Sequence, residues 1–270
     1  MCDIAANTEY EELFREAGRL QETLSALILE RDELKYHICP DIQADYMLKF
    51  GALEYKILEL QYKILRIKRQ IELIQLQINL QKIVNTIEIE VQLDNEFHEY
   101  QERLNNKLDE MNAAFKRDNI DRLTEEQTRE IRRLYNKIVK KLHPDMNPNV
   151  TEREKELFVH ATEAYKNGDL ETIRTIALMI DDLSQFTEIT DSMKELREKI
   201  DRLNWLISNI EHEIWNIKQQ FPYDQKELLS NPDRVEARKK ELEKILEEYK
   251  EAYEYYEKKL HDMMEDLNDG

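Results

Sequence analysis

No proline interrupts the chain between Asp41 and Leu142, and within that interval Leu53, Ile57, Leu60, Ile64, Ile67, Ile71, Ile74 and Ile78 alternate spacings of four and three. A heptad pattern sustained over this length without a breaker folds as a long helix with one apolar seam, which a second helix must cover. The first helix of the same chain and a second copy of the chain are both open as partners. Gly51 is the one loose residue ahead of the seam. Beyond it Phe97, Tyr100, Leu104, Leu108 and Met111 carry a helical stripe to about Phe115. Unbroken from 42 to 115, this element would be about 110 Å long at ~1.5 Å per residue. Ile87, Ile89, Val91 and Leu93 alternate with period two, a strand pattern inside helical flanks; helix is assigned there, with room for a bend between Glu88 and Asn95.

The remaining stretches follow the same logic. Glu9 to about His37 is helical, with Leu13, Leu20, Leu24, Leu27 and Leu34 among its apolar positions, and Cys39-Pro40-Asp41 is expected to end it. Leu196, Ile200, Leu203, Ile207, Ile210, Ile214 and Ile217 form a second seam that stops at Phe221-Pro222-Tyr223. Asn231 followed by Pro232 reads as a cap with proline in the first turn, opening a helix with Leu242, Ile245, Tyr249, Ala252, Tyr256 and Met263 on its seam. Pairing these last two helices as an antiparallel hairpin is the economical arrangement. With only 4 Gly and 5 Pro against 36% charged residues, turns are scarce, and an elongated all-α protein is expected.

One stretch reads as a site. From Ile131 to Leu142, apolar Ile131, Leu134, Tyr135, Ile138 and Leu142 share a stripe, while Arg132, Arg133, Lys137, Lys140 and Lys141 occupy the remaining surface. Thr124 with Gln127 is a capping box that opens the helix, and Pro144 closes it. Thr151 with Glu154 is a second capping box, after which Leu157, Phe158, Ala161, Ala164 and Tyr165 form one stripe and Gly168 ends the helix. Two short amphipathic helices so joined pack antiparallel and present His143, Pro144 and Asp145 at one end.

These residues resemble helix II, the HPD loop and helix III of a J-domain, the module of DnaJ-type co-chaperones. The match runs from about Leu123 to Gly168 and rests on the tripeptide together with the offsets of Tyr135, Asn147, Pro148, Phe158, Ala161, Ala164 and Tyr165. The resemblance implies that His143, Pro144 and Asp145, with Arg132, Arg133, Lys137, Lys140 and Lys141 as electrostatic contacts, dock on a DnaK-type heat-shock chaperone and trigger its ATP hydrolysis. The Tyr-x-x-Leu-Gly signature of helix I is absent, leaving Phe115, Ile120 and Leu123 for that side, and Met146 stands where a lysine is usual. Helix I is either divergent or replaced by a neighbouring coil. No Gly/Phe-rich linker and no CxxCxGxG repeat follows, which places the resemblance in the class sharing only the J-domain. The expected organisation is a J-domain-like helical hairpin flanked by long coiled-coil helices: coil over 1–115, J-like module over 116–185, antiparallel hairpin over 186–270.

Other chemistries are disfavoured. A formal net charge of −18 repels nucleic acid and anionic lipid, so the five cations between Ile131 and Leu142 suit an acidic protein surface better than a phosphate backbone. Cys2 and Cys39 make no disulfide framework, no stretch approaches a membrane span, and a cytoplasmic location is expected. His37, His98, His160, His212 and His261 form no ligand pair, and no GxSxG, HExxH or CxxC signature occurs, so neither metal, cofactor nor enzymatic activity is expected. The coils would select a client; Trp205, Trp215, Tyr249, Tyr253, Tyr255 and Tyr256 are the candidate contact residues. A homodimer remains open. The rival readings are a scaffolding coiled-coil protein whose J-like module activates no chaperone, and a nucleotide-independent binder of unfolded chains.

Overall fold

A computed structural model describes residues 2–118, 123–183 and 192–269, and these are all-α, without a strand. In chain order the helices are α1 (Cys2–Glu33), α2 (Cys39–Tyr46), α3 (Ala52–Asn79), α4 (Thr86–Glu96), α5 (His98–Asp118), α6 (Glu125–Leu142), α7 (Glu152–Lys166), α8 (Leu170–Leu183), α9 (Met193–Gln219), α10 (Lys226–Ser230) and α11 (Pro232–Asp269). Among these residues no helix is long and apolar enough to cross a membrane. Contacts divide the chain into two compact units, residues 1–40 with 121–224 and residues 41–120 with 225–270. Each unit draws on more than one of the three successive segments expected from the sequence.

Pro40 does not end the first helix. A π-helical turn, Leu34–Ile38, precedes it, and the N–H of Cys39 bonds back to the carbonyl of Leu34 instead of that of Lys35. The wider turn relieves the clash between the proline ring and the preceding carbonyl, and the backbone stays helical into α2.

In the first unit α9 pairs with α1, not with α11. Glu9 meets Arg197 and Glu30 meets Lys218; both pairs are 188 residues apart, so the two helices run parallel. The seam read from the sequence is the one used: Leu196, Ile200, Leu203, Ile210 and Ile214 are buried, against Ala17, Leu24 and Ile28 of α1 among others. The antiparallel hairpin expected of α9 and α11 is therefore replaced by two parallel pairings. A short connection favours an antiparallel return, but seam complementarity over many turns outweighs it.

In the second unit the partner of the long seam is α11. Gln61 donates to the Tyr249 hydroxyl (2.8 Å) and the Lys68 ammonium lies 4.5 Å from the centre of the Tyr256 ring, so this pair too is parallel. The covering helix thus comes from the same chain, though not from its first helix. The stretch 42–115, read with room for a bend between Glu88 and Asn95, is broken instead between Asn79 and Thr86 and again at Phe97. α3 stops at Asn79, Gln81 adopts φ 55°, and Asn85 caps α4 by accepting the Glu88 N–H (3.2 Å). α4 then runs back along α3: Gln70 donates to Glu90 (2.9 Å), and Arg66 holds Glu90 and Asp94. Folding back buries Ile89 and Leu93 against Leu73 and Ile74. α5 continues the return, with Lys107 paired to Glu54 (2.7 Å) and Met111 so close to Gly51 that a Cβ there would lie 3.1 Å from its Cγ. Gly51 is buried in a second π-helical turn, Met47–Gly51, and its missing side chain is what lets α5 approach.

Zero-length carbodiimide cross-linking tests this topology. Links Lys218–Glu30 (2.7 Å) and Lys107–Glu54 (2.7 Å) are expected by peptide mass spectrometry, whereas a ladder of links joining α9 to α11 in antiparallel register would overturn the pairing.

Candidate functional site

Local sequence builds the hairpin as expected. Both capping boxes form, Thr124 with Gln127 at the start of α6 and Thr151 with Glu154 at the start of α7. Gly168, at φ 69°, ends α7 with the Asp169 N–H bonded to the Ala164 carbonyl (2.9 Å). α6 and α7 pack antiparallel: Tyr135 stacks flat on Tyr165, ring centres 4.1 Å apart, while His143 meets Phe158 edge-on at 5.0 Å. α8 closes a second side, where Arg174 forks onto the Glu130 carboxylate (2.7 and 2.8 Å) and holds its pKa below the usual carboxylate range.

The third side of the hairpin is covered by α1. Of the residues available in the sequence for that role, Leu123 packs at the edge of the core, Phe115 lies on α5 in the second unit, and Ile120 falls outside the described residues. Leu24, Ile28 and Leu34 share one core with Ile131, Tyr135, Ile138 and Leu142. A buried polar chain runs through it. Asp32, 2% exposed, accepts from both Arg31 (2.7 and 2.9 Å) and the Tyr135 hydroxyl (2.8 Å), which also lies 3.2 Å from the Thr162 hydroxyl; Arg31 reaches Glu213 of α9 at 3.6 Å. Burial, then the Asp32 charge, pushes the Tyr135 phenol far above its ordinary pKa, so it stays a hydrogen-bond donor.

Within this frame the tripeptide divides its roles. His143 has the extended backbone that a residue before proline must take, φ −65° and ψ 125°, and its N–H closes α6 on the Val139 carbonyl (3.0 Å). Its ring is buried, 7% exposed, and Nδ1 accepts the Asp145 N–H (3.1 Å), which places the ring proton on Nε2. Burial lowers its pKa below the ordinary histidine value and Arg31 adds to this, against Asp145 and Asp32. Pro144 is half-buried and Asp145 projects outward, its side chain 49% exposed. Asn147 braces the turn by donating to the Lys140 carbonyl (2.8 Å), and Met146 is buried in the core, where a lysine ammonium would lose its water.

The five cations do not share one face. Arg132 pairs with Glu33 and Lys140 with Glu22, both on α1, while the Lys141 ammonium reaches the Ile180 carbonyl of α8 (3.4 Å). Arg133 is exposed and Lys137 half-buried. Arg129, one turn before Arg133 and also exposed, extends that outward stripe; the sequence reading missed it because it began at Ile131, although the i, i+4, i+8 spacing signals it. From α9, Arg202 donates to the Asp145 carbonyl (3.3 Å). Among the described residues no cluster of His, Cys, Asp and Glu could hold a metal ion. No protein-family model, curated protein or solved structure matches this chain.

Two measurements follow from this geometry. Tyr135→Phe, which strips buried Asp32 of one donor, is expected to cost about 1–3 kcal/mol in denaturant unfolding. Because the unfolded chain takes up the His143 proton more readily than the folded one, stability should fall as pH drops from about 7.5 through the ordinary histidine range near 6.5. His143→Gln should flatten that part of the Tm–pH curve; an unchanged slope would remove His143 as its source.

Proposed function

We propose that this chain is a J-domain-like co-chaperone that stimulates ATP hydrolysis by a DnaK-type heat-shock chaperone. The observation that carries the reading is the pairing of an outward carboxylate, Asp145, with exposed Arg129 and Arg133 on the helix that leads into the turn. Such a surface suits a partner presenting acidic side chains beside a basic one. Its action would be allosteric: turn and stripe bind one conformational state of the chaperone better than the other, and only that difference in affinity can shift the equilibrium. His143 and Pro144 act by positioning, the imidazole accepting the Asp145 N–H and the ring fixing the turn.

The scaffolding reading is favoured by a specific observation as well. His143 is buried, two of the cations are neutralised by α1, and Arg202 lies against the turn. Single-turnover ATP hydrolysis by the DnaK-type chaperone, with the intact chain added, separates the two. The co-chaperone reading expects acceleration that Asp145→Asn abolishes and Arg133→Glu reduces by about tenfold at low salt, a ratio of about 1.4 kcal/mol, without loss of helical circular dichroism. No acceleration by the unmutated chain would decide for the scaffold.

A further inference from the structure

Apolar residues at every second position cannot all be hidden on one side of a helix: at about 100° per residue, Ile87 and Val91 point away from Ile89 and Leu93. α4 buries the second pair and leaves Ile87 76% and Val91 57% exposed. The turn leading into α4 adds Ile83, 94% exposed, and Leu80, also exposed. Four large aliphatic side chains are thus exposed within residues 80–91, and α4 carries as many of them outside, Ile87 and Val91, as inside, Ile89 and Leu93. Its rim is acidic. α4 itself holds four Asp and Glu and no Lys or Arg, while the preceding turn carries one exposed cation, Lys82. Glu88 is exposed on one flank of the strip, and Glu90 and Asp94 on the other share the single guanidinium of Arg66, which leaves that trio negative.

We propose that the outer face of α4, with the preceding turn, binds unfolded polypeptide segments in which aliphatic residues are flanked by arginine or lysine. The strip is one helix wide, which suits a short chain segment better than a folded surface. A second copy is the poorer occupant, because a two-fold contact would set the same carboxylates against each other in a chain that already carries −18. This deepens the co-chaperone reading by placing the client surface, and it rests on that reading only for calling the bound segment a client.

The test uses the full chain, without chaperone or nucleotide, and fluorescence anisotropy of a labelled peptide with a Leu/Ile/Val centre and arginine flanks. A peptide with the same centre and glutamate flanks is the comparison. The arginine-flanked peptide should bind at least about tenfold tighter than the other, and more weakly as salt is raised. Ile87→Ser with Val91→Ser should weaken it by at least about tenfold, because two aliphatic contacts are lost. Glu88→Lys should weaken it several-fold, while Leu178→Ser, an exposed aliphatic on α8, should change nothing. Absence of binding, equal binding of both peptides, or an unaffected double variant would overturn the proposal. So would light scattering that shows a dimer which the double variant converts to monomer. Peptide binding without chaperone stimulation would sink the co-chaperone reading and keep this surface; stimulation without peptide binding would sink only the surface.

Discussion

The carboxylate of Asp32 is out of water, and a buried charge is tolerated only where it is paired and hydrogen-bonded. Arg31 and the Tyr135 hydroxyl meet that demand from α1 and α6, Thr162 extends it to α7, and Glu213 extends it to α9. Four helices of the first unit are thereby held in one rotational setting. To the close packing of α6 a directional network around a desolvated charge adds a demand on rotation that apolar contacts do not make. The setting decides which cations of α6 face outward. With Tyr135 turned toward Asp32, Arg132 and Lys140 fall beside the acids of α1 and Lys141 beside α8, while Arg129 and Arg133 are exposed and Lys137 is half-buried.

The same packing buries one member of the His-Pro-Asp turn and leaves another in solvent. The imidazole is spent on holding the turn, in a neutral form that burial favours, while the carboxylate two residues on remains in solvent. α1 covers the third side of the hairpin, so its core is completed by residues far away in sequence. In the second unit the corresponding economy is a helix that folds back on its own seam and keeps an apolar face outside.

Several features were legible in the residues because they are decided within one or two turns of backbone. Thr124 with Gln127, Thr151 with Glu154, Asn231 ahead of Pro232, Gly168 at a helix end and the extended conformation forced on His143 by Pro144 all satisfy local hydrogen-bonding or steric demands. The seams of α3 and α9 were legible for the same reason, since side-chain direction along a helix follows from spacing alone. Pro40 was misread because the rule that proline ends a helix assumes α geometry, and one π-helical turn removes the clash. Arg129 and the burial of Met146 escaped because exposure depends on which helices arrive from elsewhere.

By itself, then, the sequence determined that the chain is helical, where α6, α7 and α8 begin and end, where α9 stops and α11 starts, and which stripes form the long seams. Only the tertiary structure decided which stripe meets which: α9 with α1, α11 with α3, α4 turned back on α3, and α1 against α6. Heptad seams of Leu and Ile are nearly interchangeable as partners, so spacing cannot choose among them. The choice is made by long-range complements such as Asp32 for Tyr135, Gly51 for Met111 and Gln61 for Tyr249, each of which exists only once the helices are side by side.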